Sequence, residues 1–335
     1  MKVAFVIYQN AVINGASNGV RSQALGWKRT LEKTGVECTL ISQWDHYDWS
    51  VFDAIHIFGY DINISSFVTA LSQKNANIFL SPIIDSQKPY WQYRLATLTG
   101  IDKLRIYSQN YALRKAAPHL KGFCVRSGHE LRYIKDSFGV NPSRIHQVPL
   151  SYGLSPTTSS IESLTSQKRN FCLHVSSIYQ DRKNVLRLVR AARKYGFDLI
   201  LAGSTGSEKE FFPIKQEIGN AKNISVLGFV SKEELIQLYT EAKVFALPST
   251  LEGVGIVALD AAMFGCNIAI TSIKGPKEYF PNISTVECIN PYDVDDIGSR
   301  INMLLRLQNN ELLREHVYAN FGENSVVQCL LKMYQ

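Results

Sequence analysis

The chain has 335 residues, of which 45% are hydrophobic and 19% charged, with a formal net charge of +7. That length exceeds what one core usually organises and predicts two domains, while the composition excludes a disordered, fibrous or low-complexity chain. No apolar run approaches the roughly 20 residues that span a bilayer, and six scattered cysteines read as reduced, buried thiols rather than a disulfide framework or metal ligands.

In chain order, Lys2 to Tyr8 opens the sequence. It is too short for a signal core and lacks a small-residue cleavage site, so it reads as a first strand. Further strands are expected at 36 to 41, 54 to 58, 76 to 81, 121 to 126 and 145 to 149, with helices filling most of the gaps. Over residues 19 to 34, Val20, Ala24, Trp27 and Leu31 share one helical face, and Gly35 closes it as a C-terminal cap. Between Lys88 and Arg144 the charge concentrates in Lys88, Arg94, Lys103, Arg105, Arg114, Lys115, Lys121, Arg126, Arg132, Lys135 and Arg144, against Asp102, Glu130 and Asp136. Three readings of this tract stay open: solvated helix faces, an anionic acceptor or leaflet, and nucleic acid, the last without any helix-turn-helix, zinc-finger or RNA-binding signature.

A Ser, Thr and Pro-rich stretch from Ser151 to Asn170 interrupts the alternation. The expected division is a domain over 1–155, a linker over 156–169, a second domain over 170–310 and a helical packing segment over 311–335. After the linker, strands are expected at Phe171–Val175, Phe197–Ala202, Ile224–Leu227, Val244–Leu247 and Asn267–Thr271. Helices are expected at Asn184–Tyr195, near 208–219, at Lys232–Ala242 and at 256–264. Continuous apolar strands alternating with helices are the mark of parallel sheets covered on both faces. Two doubly wound α/β domains follow, with ligand expected in the cleft between the carboxyl ends of their strands.

Residues 248 to 278 carry the clearest chemistry. Glu252 lies on a loop after a strand, and Gly253 and Gly255 allow a tight turn and open N–H groups where the helix near Ile256 begins. Such helix starts attract phosphate. Asp260 follows eight residues after Glu252, about one turn into the helix. Ionised carboxylates accept hydrogen bonds from hydroxyls, so one could hold a sugar and the other a ribose; Asp260 also fits an ordinary first-turn charge favoured by the helix dipole. Upstream, Arg182 and Lys183 precede a helix. The seven histidines show no metal-ligand spacing, and His129, His146 and His174 read as structural.

The run resembles the E-x7-E region of retaining glycosyltransferases of the GT-B fold, family 4 (glycosyl transferases group 1). It matches at Pro248, Ser249, Glu252, Gly253, Gly255, Ala261 and Gly265, and departs at Val254, where Phe is usual, and at Asp260, where Glu is usual. The segment 174 to 192 is similar to the family's diphosphate clamp, with Lys183 at the Lys position and Ser177 where an Arg is usual. The resemblance implies a GT-B fold, two Rossmann-like domains facing a central cleft. The N-terminal domain would take the acceptor and the C-terminal domain the nucleotide sugar. It implies that Glu252 and Lys183 act in catalysis, with Asp85 in the turn after a strand as a further candidate. Asn18, Gly19, Arg182, Lys183, Glu252, Gly253, Val254, Gly255, Ile256 and Asp260 would bind the donor. Gly275 to Glu278 is assigned only to the cleft wall.

The expected activity is transfer of a sugar from a nucleotide diphosphate donor to a hydroxyl, with retention and without metal or other cofactor, in bacterial surface polysaccharide or glycolipid synthesis. Expected partners are the donor and a glycan or lipid-linked acceptor, with peripheral membrane contact through 88–144 and no nucleic acid. The expected location is cytoplasmic, at the inner face of the membrane. A nucleotide-sugar epimerase of the same fold and a catalytically silent sugar-nucleotide-binding module are the alternatives. The absence of G-x-G-x-x-G spacing in Gly15 to Arg21 argues against a nicotinamide enzyme.

Overall fold

A computed structural model describes residues 1–8, 19–101, 106–156, 168–309 and 311–335. Contacts divide the chain into two units, Met1–Leu150 with Glu323–Gln335, and Ser151–Gly322.

In the first unit, β1 (Lys2–Ile7), β2 (Glu37–Leu40), β3 (Ala54–Phe58), β4 (Ile78–Ser81), β7 (Gly122–Val125) and β8 (Ile145–Gln147) form a parallel sheet in the order β2-β1-β3-β4-β7-β8. A short antiparallel pair, β5 (Gly100–Ile101) and β6 (Ile106–Tyr107), stands apart. Every residue of β3 and β4 is buried, which is why these strands read as unbroken apolar runs. The helices are α1 (Gly19–Glu32), α2 (Ile64–Ser72), α3 (Tyr90–Leu98), α4 (Gln109–Ala116) and α5 (Gly128–Arg132). α1 buries Ala24, Trp27 and Leu31 as its periodicity requires, and Gly35 with φ of 83° turns the chain back toward β2.

The second unit repeats the plan. Its strands β9 (Arg169–Val175), β10 (Leu199–Ala202), β11 (Ile224–Gly228), β12 (Ala242–Leu247), β13 (Asn267–Thr271) and β14 (Val286–Ile289) lie parallel in the order β11-β10-β9-β12-β13-β14. Helices α6 (Val185–Tyr195), α7 (Glu208–Ile218), α8 (Lys232–Glu241), α9 (Ile256–Met263), α10 (Val294–Arg306) and α11 (Leu312–Phe321) complete it. α7 and α8 each open with a reciprocal Ser/Glu capping box, Ser207 with Glu210 and Ser231 with Glu234. Chain order reverses between β9 and β12, the place where doubly wound sheets leave a crevice at their carboxyl edge.

The helical segment expected over 311–335 is divided by its contacts. α11 belongs to the second unit, whereas the last helix, α12 (Glu323–Tyr334), packs in the first. There the Tyr334 hydroxyl lies 2.7 Å from His56 Nδ1, and its ring meets Phe79 edge-on. The boundary between units falls at 150/151, ahead of the expected linker.

Candidate functional site

Two loops leave the carboxyl edge of the second sheet at its switch point, one after β9 and one after β12. His174, fully buried near the end of β9, has Nδ1 at 2.8 Å from the Ala246 carbonyl of β12 and Nε2 at 2.7 Å from Ser176 Oγ. The carbonyl only accepts, so the proton sits on Nδ1 and Nε2 accepts from the hydroxyl. Its partners are structural, as the sequence implied. Burial pushes its pKa down to about 4.

The β9 loop ends in a 3-10 turn, Asp181–Lys183, and then Asn184 with φ of 60°. A left-handed asparagine at this joint redirects the chain into α6, and its buried amide fixes the turn by donating to the carbonyls of Pro248 (2.9 Å) and Pro291 (2.6 Å). The amide of Thr250 donates to the Arg182 carbonyl at 2.9 Å. The two loops are therefore one hydrogen-bonded body. On it, Lys183 Nζ and Glu252 Oε2 stand 2.5 Å apart, both side chains half-buried, with Ser249 Oγ donating to the same carboxylate oxygen at 3.4 Å.

The glycines hold the second loop in shape. Gly255, with φ of 81°, is the N-terminal cap of α9, and a Cβ there would meet Leu247 Cδ2 at 2.5 Å. No acid occupies the first turn of α9, so its N-terminal amides carry the positive end of the helix without a carboxylate of their own. Val254 is buried beneath the loop and Ile256 is half-buried. Gly275 has φ of 103°, and a Cβ on it would lie 2.6 Å from the Gly253 carbonyl, so the loop after β13 presses against the Glu252 loop. Glu278 lies beyond it, exposed on a turn whose Pro276 and Tyr279 are buried.

The sequence-predicted residues are not all gathered. Lys183, Glu252, Gly253 and Gly255 come together. Arg182 contributes its carbonyl to the joint, while its Nε donates to Gln180 Oε1 at 2.9 Å. Asp260 lies deeper: its Oδ1 accepts the amides of Gly153 (2.6 Å) and Leu154 (2.9 Å), and burial raises its pKa to about 6 against the pull of those two bonds. One oxygen of the acid expected at a ribose thus anchors the start of the unit. Asn184, which joins the two loops, was not among the sequence-predicted site residues; its only signal was an asparagine just before a helix.

In the first unit a pocket of about 380 Å³ lies at the carboxyl ends of β1, β3 and β4, lined by Tyr8, Val20, Tyr60, Ile83, Asp85 and Tyr93 among others. Tyr8 Oη is buried without a partner among the described residues, and burial raises its pKa. Ile83 has φ of 57°, a left-handed conformation that strains a β-branched residue. Its neighbours hold it there. The Ile84 amide donates to Glu130 Oε1 at 2.7 Å, and Asp85 Oδ1 accepts from buried Arg126 at 2.7 Å, whose Nε also donates to Glu130. Asp85 therefore sits at the pocket rim with one oxygen committed. Gly19 is the first residue of α1, and Asn18 lies outside the described residues. Among the described residues no group of three or more His, Cys, Asp or Glu is arranged to hold a metal. All six cysteines are free thiols, four of them buried as expected, while Cys288 is exposed and Cys329 half-buried.

A lysine beside a carboxylate on glycine-shaped loops at a helix start suits a ligand that is both anionic and hydroxylated. Comparison with known proteins agrees. Residues 157–324 match the model of the glycosyl transferases group 1 family. The chain is 29% identical over 140 residues to O-antigen chain mannosyltransferase B of Escherichia coli, covering 40% of this chain and 36% of that protein. It is 26% identical over 215 residues to a GDP-mannose-dependent monoacylated alpha-(1-6)-phosphatidylinositol monomannoside mannosyltransferase of Corynebacterium glutamicum, covering 58% and 55%. The chain thus spans about half or less of the length of these curated relatives. Among solved structures, Anabaena HepE in complex with UDP superimposes with a TM-score of 0.72 at 14% identity, over 99% of each chain. The fold is of the GT-B type, and the chain belongs to the glycosyl transferases group 1 family.

Proposed function

We propose that this protein transfers a sugar from a nucleotide diphosphate donor to a hydroxyl of a glycan or lipid-linked acceptor, with retention of configuration, as in family 4, and in the synthesis of surface polysaccharide or glycolipid. The observation that carries the reading is the Lys183–Glu252 pair, held on two mutually bonded loops at the switch point of the second sheet. An O-antigen chain mannosyltransferase and a GDP-mannose-dependent phosphatidylinositol monomannoside mannosyltransferase among the relatives, and a neighbour solved with UDP, support the substrate class.

In this reading Glu252 accepts hydrogen bonds from hydroxyls of the donor sugar. Lys183, which has N–H donors beyond the one given to Glu252, and the amides from Gly253 to Ile256 hold the diphosphate. As the anomeric bond breaks, negative charge grows on the leaving diphosphate, and Lys183 with the helix N-terminus stabilises it where a metal would otherwise serve. The departing phosphate takes the acceptor proton on the same face, and the protein supplies positioning. Arg182 supports the clamp, Asp260 orders the backbone behind it, and Asp85 lies where the acceptor enters the first unit's pocket. The work is placed at the cytoplasmic face of a membrane, with the basic tract toward it.

Titration calorimetry with UDP, GDP, ADP and their sugar conjugates, with and without Mg²⁺, tests the reading. One nucleotide family should bind without metal, and Glu252→Ala should keep the nucleotide diphosphate while losing the extra affinity of the sugar. Lys183→Ala should lower turnover by about 10²- to 10³-fold, the scale of removing one charge-stabilising donor. A folded protein that binds no nucleotide diphosphate, or a Glu252→Ala variant that keeps the sugar increment, would sink the proposal.

A further inference from the structure

Helix α3 packs one face against its neighbours and leaves an apolar stripe exposed on another. Its inner side is fixed to the following turn: the Tyr93 ring meets Tyr133 edge-on at 4.9 Å, buried Thr97 donates to the Ser137 carbonyl at 3.1 Å, and Ser137 Oγ donates to the Tyr90 carbonyl at 3.0 Å. On the outer side, Trp91, Leu95 and Leu98 follow one another at spacings of four and three and so form a single stripe. They are 61%, 53% and 48% exposed. The chain then runs into the β5–β6 pair, where Ile101 and Ile106 are direct partners, so their side chains share a face, at 53% and 63% exposure. Single exposed leucines are ordinary, but three large apolar side chains on one face of α3, with two more on one face of the β5–β6 pair that follows it in the chain, expose enough apolar surface to ask for a partner.

The charges around this patch say which partner. Lys88, Arg94, Arg132 and Lys135 are exposed on α3, on the segment before it and on the helical turn against which it packs. α4, which also packs on α3, ends in Arg114 and Lys115. Of the acids in the same described elements, Glu130 and Asp85 are both paired with Arg126, which leaves Asp136. Pairing of this face with a second copy by a two-fold axis would set one basic rim against another. An anionic lipid surface satisfies both components at once, the apolar stripe entering the acyl boundary, tryptophan at the interface, and the cations on the headgroups. No described helix is long and apolar enough to cross a membrane, so contact would be from one side.

We infer that α3 and the β5–β6 pair dock the first unit onto an anionic lipid leaflet, with Trp91, Leu95 and Leu98 inserted. The inference deepens the proposed function, resting on it only for the idea that the acceptor is presented at a membrane. Vesicle flotation and nucleotide calorimetry are therefore run on the same samples, so that either can fail alone. The protein should float with phosphatidylglycerol-containing vesicles and not with pure phosphatidylcholine. Brominated acyl chains should quench its fluorescence, and this quenching should vanish in Trp91→Phe. Leu95→Ser with Leu98→Ser should weaken vesicle binding by at least about tenfold, because two exposed apolar side chains no longer enter the interface. Thermal unfolding and nucleotide binding of that double variant should match the parent. Unchanged vesicle binding by the double variant, or quenching that persists without Trp91, overturns the inference. So does a parent that ignores both vesicle types yet elutes as a dimer that the double variant turns into a monomer, which would assign the face to self-association.

Discussion

Two buried histidines tie the stability of each unit to pH in the same direction. His174 in the second unit and His56 in the first are wholly enclosed, and burial lowers their pKa values from 6.5 to about 4 and about 3. Below the unfolded value, the unfolded chain binds protons that the folded one refuses, so stability present above pH 6.5 is lost as pH falls toward 4. One pH unit below that value, each histidine costs about 1.4 kcal/mol. Urea unfolding at a series of pH values should show this slope, and His174→Asn, which keeps a donor for the Ala246 carbonyl, should flatten it. Equal slopes in parent and variant would refute the assignment. Asp260 works the other way. Its folded pKa of about 6 exceeds the unfolded 3.8, so its contribution is complete below the lower value and fades as pH rises through the upper. Asp260→Asn keeps an acceptor for the two amides and removes the buried charge. Asp260→Ala leaves both amides unpaired and should cost about 1–3 kcal/mol more than Asn in denaturant unfolding at neutral pH. An Ala variant as stable as the Asn variant would show that those amides find other acceptors.

At the scale of elements, the candidate donor site depends on three loops being pressed together. Gly275 is where that pressure is greatest, because a Cβ there would approach the backbone carbonyl of Gly253, which no rotamer change can relieve. Gly275→Ala should therefore shift the Glu252 loop, destabilise the second unit by about 1–3 kcal/mol through its left-handed φ, and weaken sugar-nucleotide binding beyond any loss of folded protein. Calorimetry on the folded fraction checks this, and unaltered affinity would mean that the β13 loop yields instead. The strands that carry these loops were legible in the sequence. β13 spans the expected Asn267–Thr271, and β9 and β12 contain the expected runs Phe171–Val175 and Val244–Leu247, because strands buried on both faces leave a continuous signal. β14 was not singled out: its sequence, Val-Glu-Cys-Ile, is buried only at its ends, and Glu287 spends its charge on Arg300. A shared donor site for Lys183 and Glu252 was implied by the family resemblance, though not their ion pair. Their alignment through Asn184 was not, since it reaches carbonyls 64 and 107 residues away.

For the molecule as a whole, sequence periodicity announced two doubly wound units but could not say which unit would own the last helix. Helical period reports that α12 has a buried stripe, not what buries it. The structure answers with a long-range contact. Tyr334, fully enclosed, lies against His56 of β3 and against the ring of Phe79 of β4, and Lys33 pairs with Glu323 at the other end of the helix. His56 uses its remaining nitrogen on Ser81 Oγ at 2.8 Å. Removal of residues 323 to 335 would therefore uncover the face of the first sheet beside α1 and leave a buried imidazole nitrogen without its hydroxyl. The cost is several kcal/mol, from an aromatic cavity of about 3–5 kcal/mol and an unsatisfied polar group of about 1–3 kcal/mol, less any relaxation. Hydrogen exchange on the truncated protein should show faster exchange across β1, β3 and β4, with protection of β9 and β12 unchanged, and nucleotide binding should persist if the donor site is contained in the second unit. Uniform loss of protection in both sheets would mean instead that the two units fold as a single cooperative body.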